Sequence, residues 1–228
     1  MALYAIGDTH LSLGSDKPMD VFGGGWEGYV EKLRAGFSTL QEEDVVVVCG
    51  DVSWAMGLEQ SRADFAFLNH LPGEKWILKG NHDYWWSTAA KMNGFFSQNG
   101  FDKLHILHNN CALYGDIALC GTRGWFHEEN GAPQAEKVFR RELMRLETSL
   151  KAAGAREKLC FLHYPPRYQG YECREILELL EAYQVRACYY GHLHGPSHRL
   201  ARNGMYGTVD YHLVAADYIG FCPKKIWD

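Results

Sequence analysis

Val45-Val46-Val47-Val48-Cys49-Gly50-Asp51 sets five apolar residues directly before a glycine and a carboxylate. Four β-branched residues in succession suit a strand better than a helix. A run without polar alternation suits a strand covered on both faces. The same arrangement recurs on either side. Residues 3–6 run into Gly7-Asp8-Thr9-His10, and residues 76–79 into Gly80-Asn81-His82-Asp83. Residues 159–162 end at His163, and residues 187–190 lead to Gly191-His192-Leu193-His194. Residues 104–107 and 117–120 read as further strands, and residues 205–208 with 211–214 as a hairpin.

Helical stripes separate these runs. Val30, Leu33, Phe37 and Leu40 share one face, and Ile176, Leu177, Leu180 and Tyr183 another. Phe139, Leu143, Leu146 and Leu150 form a third, with Pro133 near its start and Gly154 near its end. Such stripes are core packing, and together with the strands they predict an α/β chain with helices layered on sheet. Two long polar loops, 14–28 and 123–134, interrupt the pattern, and loops of that length in a compact domain are commonly functional.

The composition bounds the function. The 228 residues suit one domain spanning 1–228, long enough to fold without disulfides or a structural metal. The 23 basic and 28 acidic residues give a net charge of −5, which argues against long nucleic acid as a partner but leaves room for a small anion. Seven cysteines (49, 111, 120, 160, 173, 188 and 222) form no CxxC pair and read as reduced, buried thiols. No apolar run approaches the length of a spanning helix, so membrane insertion is not expected, and the reading is cytoplasmic. Oligomeric state stays open.

In an open α/β sheet the carboxyl ends of the strands share a rim where ligands bind. Five strand ends therefore deliver Asp8, His10, Asp51, Asn81, His163, His192 and His194 to one place, four of them through a glycine. Imidazole with carboxylate and amide oxygens, without thiolate, suits Mn, Fe, Zn, Co or Ni, manganese foremost, over Mg or Ca. Seven ligands exceed the needs of one catalytic ion and suit two divalent ions about 3.5–4 Å apart. Two such cations outweigh the charge of two aspartates, so a phosphate is the natural guest. A single-metal non-haem iron site would leave most of the set unused.

The order Asp-x-His, Gly-Asp, Gly-Asn-His-Asp, His, Gly-His-x-His resembles the calcineurin-like metallophosphoesterase superfamily, and the match spans Asp8 to His194. The resemblance implies a four-layer α/β/β/α sandwich with mixed sheets and a two-metal centre at its rim. It also implies that Asp8, His10 and His194 hold one ion, that Asn81, His163 and His192 hold the other, and that Asp51 bridges them. A hydroxide bridging the ions would attack a small or medium phosphoester, a diester or monoester, nucleotides included. His82 would stabilise the transition state or protonate the leaving oxygen, with Asp83 orienting its imidazole. Asp83 could instead cap the following helix. The protein-phosphatase branch follows its Gly-Asp with a further Asp-Arg pair. Here Val52-Ser53-Trp54-Ala55 follows, which points to the bacterial-type branch and away from phosphoproteins.

Outside this set, Arg123 follows a strand and could clamp a substrate phosphate, or could be a surface or capping residue. Trp26, Trp54, Tyr84, Trp85, Trp86 and Trp125 lie near the motif loops, where they could stack on a base or aromatic group or simply pack. His127 and His198 are weaker candidates for substrate contact, and His70, His105, His108 and His212 read as ordinary histidines. A scaffold that keeps the fold but binds a protein partner without catalysis is the alternative from another class.

Overall fold

In the computed structural model, which describes residues 1–125 and 133–228 with the side chains of 133–135 left aside, the β-branched runs become the inner strands of two sheets. In chain order the elements are β1 (Leu3–Ile6), α1 (Tyr29–Phe37), β2 (Val45–Val48), α2 (Arg62–His70), β3 (Glu74–Ile77), α3 (Ala89–Gln98), β4 (Leu104–Ile106), β5 (Cys111–Tyr114) and β6 (Ile117–Thr122). The second half continues with α4 (Pro133–Ala152), β7 (Glu157–Leu162), β8 (Arg167–Tyr168), β9 (Tyr171–Glu172), α5 (Arg174–Ala182), β10 (Val185–Tyr190), β11 (Gly204–Tyr206), β12 (Val209–Leu213) and β13 (Lys224–Trp227).

The first sheet has the order β13-β1-β2-β3-β4, parallel except for β13, which pairs antiparallel with β1. The second has the order β11-β12-β10-β7-β6-β5, with a parallel centre and antiparallel edge hairpins. The hairpin expected near the C-terminus is the β11–β12 pair. Helices α1, α2 and α3 cover the outer face of the first sheet, and α4 and α5 that of the second. Between the sheets, Leu3, Ala5, Val47, Cys49 and Leu78 meet Leu119, Leu159, Phe161, Ala187 and Tyr189. The architecture is the four-layer α/β/β/α sandwich.

The valine run shows why its pattern lacks polar positions. Val46 and Val48 pack under the helices, whereas Val47 and Cys49 point into the seam between the sheets. Each is fully buried, which contributes about 1.5–3 kcal/mol per aliphatic side chain. Most of the cysteines are likewise buried free thiols, but Cys222 is exposed. Within the described residues, no helix is long and apolar enough to cross a membrane.

Candidate metal centre

The motifs emerge at one rim, where hydrogen bonds tie their loops within each sheet and, through Gly7, across the two. The Gly7 N–H donates to Val214 O at 2.7 Å, Asp8 N to Gly50 O at 2.9 Å, and Gly191 N to His163 O at 3.1 Å. The backbone there is unusual. Asp8, His10, Asp51 and His192 all have φ between 44° and 72°, the left-handed region that side-chain-bearing residues seldom adopt. Strain of this kind concentrates where a side chain must be aimed. The glycines serve a second need. A Cβ on Gly80 would lie 2.0 Å from Asp51 Oδ1, and one on Gly191 would lie 2.3 Å from Asp8 Oδ2, so both glycines make room for carboxylates.

All seven side chains of the expected ligand set converge. Asp8, His10 and His194 form one group and Asp8, Asp51 and His163 another, their ligand-type atoms lying within 4.8 Å of one another in each. His194 Nε2 is 3.3 Å from Asp8 Oδ1 and 3.2 Å from His10 Nε2. Asp51 Oδ2 stands 3.7 Å from His10 Nε2 and 3.5 Å from His163 Nε2. Asn81 Oδ1 is 2.7 Å from His163 Nε2 and 3.0 Å from His192 Nδ1.

The donor chemistry fits a cation. His163 Nδ1–H donates to Cys49 O at 3.0 Å, so its Nε2 lone pair faces the carboxylate of Asp51. Two buried aspartates share this space. Burial and the Asp8 charge push the Asp51 carboxyl up to about 8. Burial would raise Asp8 too, but His194, His163 and His10 hold it below the usual carboxylate range. Burial and His163 push the His192 imidazole down to about 3. Burial opposes a proton on His194, yet Asp8 and Asp217 push that imidazole up to about 10. Lone pairs facing carboxylates at this density suit divalent cations, which relieve the repulsion without protons.

Asp83 requires a correction. Its carboxylate does not touch the His82 ring. Oδ2 accepts from the N–H groups of Gly80 (2.7 Å) and Asp51 (2.9 Å), and Oδ1 from those of Val52 (2.8 Å) and Ser53 (3.3 Å) and from Trp85 Nε1 (2.9 Å). Nor does it cap a helix, since Thr88 caps α3. Asp83 is a buried clamp that ties the Gly-Asn-His-Asp loop to the Gly-Asp loop. His82 leans instead on Trp54, 4.4 Å between ring centroids, with the Tyr84 hydroxyl 3.4 Å from its Nδ1.

Arg123 lies at the rim through its backbone, whose carbonyl accepts from His163 N (3.1 Å) and Tyr164 N (2.9 Å). The tryptophans mostly wall the histidines. Trp54 stacks on His10 at 4.9 Å, Trp26 meets His10 and His194 edge-on, and Trp85 is buried on Asp83. Trp86 meets His108 and Trp125 packs on Phe139, whereas Tyr84 is half exposed. His127 lies outside the described residues.

Asp217 was not read from the sequence. Its carboxylate lies 3.2 Å from His194 Nδ1 and 3.1 Å from His198 Nε2, and accepts from Gly195 N at 2.9 Å. A carboxylate behind an imidazole fixes its tautomer and raises its basicity. The available cue was one more strand followed shortly by an aspartate, Val214-Ala215-Ala216-Asp217.

Among curated proteins, none is significantly similar to this sequence. Solved structures share the fold. The phosphopantetheinyl hydrolase of Mycobacterium tuberculosis superposes with a TM-score of 0.63 at 14% identity, over 99% of this chain and 95% of that one. A protein of unknown function from Aquifex aeolicus gives 0.50 at 16% identity, over 98% and 94%. A Thermus thermophilus protein gives 0.50 at 12%, over 84% and 81%. The sequence profile of the calcineurin-like phosphoesterases matches residues 1–196 and so takes in every motif from Asp8 to His194. With its motifs in order, its sandwich of two sheets and its Asp/His cluster at their common rim, the chain belongs to the calcineurin-like phosphoesterase family.

Proposed function

We propose that this chain hydrolyses phosphoester bonds on a small or medium substrate with two divalent transition-metal ions, manganese foremost. The observation that supports this most is the place of Asp51, whose Oδ2 stands between His10 Nε2 and His163 Nε2 at 3.7 and 3.5 Å. Asp8, His10 and His194 would hold one ion, Asn81, His163 and His192 the other, and Asp51 both. Bound there, such ions supply Lewis acidity at phosphoryl oxygens and lower the pKa of water toward neutrality.

The chain's own groups do the rest. Burial together with His163 and His194 holds the His82 imidazole below its ordinary range, so the ring is neutral at pH 7. With the Tyr84 hydroxyl at Nδ1, Nε2–H is the free donor, suited to a phosphoryl or leaving oxygen. Tyr84 thus takes the orienting role that the motif had suggested for Asp83. A cavity of about 560 Å³ opens beside His194 between Met19, Phe22 and Trp26 on one side and His198 and Asp217 on the other. Its largely apolar wall suits an organic leaving group.

The test is hydrolysis of bis-p-nitrophenyl phosphate and p-nitrophenyl phosphate by protein stripped and reloaded with Mn²⁺, beside Asp51→Asn. Metal-dependent turnover that falls roughly 10³-fold or more in the variant is expected, because removing the bridge forfeits several kcal/mol of charge stabilisation. The preferred compound separates diester from monoester chemistry. Two bound metals with no turnover of either compound would favour the non-catalytic scaffold, and no bound metal would end the reading.

A further inference from the structure

Basic side chains gather beside the centre, and among the described residues few carboxylates match them. Lys79 lies two residues beyond β3, His108 two beyond β4 and Arg123 one beyond β6. β3 and β4 are paired neighbours, and β6 is brought against them, since a Cβ on Gly121 would lie 3.2 Å from Leu78 Cδ2. The β4–β5 loop is tied to α4 by Ser149 Oγ, which donates to Asn110 O at 2.6 Å. Helix α4 then adds Arg145, 3.1 Å from Glu142. Among the described residues Glu142 is the carboxylate set within this group, and its other oxygen already accepts from Thr122 Oγ1 and from Gly124 N at 3.2 Å.

Among the described residues, neither Lys79 nor Arg123 has a side-chain hydrogen bond or an ion pair. Arg123 Nε and His108 Nδ1 are both buried with no hydrogen-bond partner among the described residues. The charges of Arg145, Lys79 and Arg123 all bear on the His108 ring, which burial and Arg145 hold below its ordinary range. Asp83, the carboxylate four residues on from Lys79, is saturated by its five donors. Half-buried like charges with orphaned donors cost free energy unless an anion joins them.

We infer that Lys79, His108, Arg123 and Arg145 form an anion site beside the Asn81–His163 half of the centre, and that it takes a second phosphate of the substrate, one that is not cleaved. Lys79 stands two residues before Asn81, and the Arg123 carbonyl holds the N–H of His163, so one molecule can reach both places. The substrate class is then a phosphoester carrying a second phosphate. The choice of phosphate as the anion rests on the phosphoesterase reading.

The test is calorimetric titration of full-length, Mn²⁺-loaded protein with inorganic phosphate at pH 7, in wild type, Lys79→Gln, Arg123→Gln, Arg123→Lys and Asp51→Asn. Two phosphates per wild-type chain are expected. One of them should weaken roughly 10–100-fold in Lys79→Gln and Arg123→Gln, as expected for loss of a charge-assisted contact, and partly recover in Arg123→Lys. Asp51→Asn should lose the other and keep this one. Alkylene bisphosphonates should also inhibit bis-p-nitrophenyl phosphate hydrolysis better than methylphosphonate, with the advantage lost in Lys79→Gln. A single phosphate that vanishes in Asp51→Asn and ignores Lys79→Gln would overturn the inference, even in an active enzyme. A lysine-dependent phosphate in a protein that hydrolyses nothing would uphold the site and sink the hydrolase reading.

Discussion

The two sheets contribute to the rim in different ways. The loops of the first sheet are locked from beneath: one carboxylate, Asp83, satisfies four backbone N–H groups and an indole, and so fixes the loops that carry Asp51, Asn81 and His82. The loops of the second sheet are held side chain by side chain. His163 is fixed through the Cys49 carbonyl and His194 through Asp217, while Arg123 keeps a buried Nε without a partner. A saturated network makes a rigid platform, because no member can move without stranding a donor. A partly satisfied one has capacity left for a ligand.

Asp83→Ala tests this contrast most severely. It strands five donors in a buried site and should cost about 3–5 kcal/mol of stability, with loss of bound metal and of all measurable turnover. Denaturant unfolding beside elemental analysis would show it, and a fully metallated, stable variant would refute the clamp. His82→Ala comes next, losing roughly 10²–10⁴ in turnover while metal content stays at the wild-type level. Normal turnover would remove His82 from the chemistry.

On the second sheet, Asp217→Asn should act more gently, weakening metal affinity by roughly 10–100-fold with little loss of stability. A competition titration with a chelator measures it, and an unchanged affinity would leave Asp217 a packing residue. Smallest and most local is Lys75→Met, at the far end of the first sheet. Burial holds the Lys75 ammonium down to about 7, with its Nζ donating to Leu71 O. Its folded pKa is below the unfolded one, so the unfolded chain binds more protons between about pH 7 and 10.5, and stability should rise with pH there by at most about 1.4 kcal/mol per pH unit. Lys75→Met should flatten that slope and leave metal content unchanged. A shift in metal content would mean the rim is coupled to the whole sheet.

Much of this was legible in the residues alone, wherever chemistry is carried by type and order. The valine run at 45–48 has no face to give to solvent, so a doubly covered strand follows from it directly. The Asp, Asn and His at successive strand ends announce a ligand set because parallel strands place their ends together. Helix α2 is too short to show a stripe, and α3 was legible only as a helix to follow Asp83, since Asn93 and Gly94 break its apolar stripe. The edge strands β5 and β13 were also missed, for they are brief and take their pairing from neighbours already in place. Tertiary structure alone decided the role of Asp83, because three of its five donors are 30 to 32 residues away on another loop. It alone decided that Gly80 and Gly191 are needed for space beside carboxylates. The partnership of Asp217 with His194, and the meeting of Lys79, His108, Arg123 and Arg145, belong to the same class. Sequence order carries which groups are present at each strand end; only packing the two sheets face to face decides which of them are satisfied and which are left to bind.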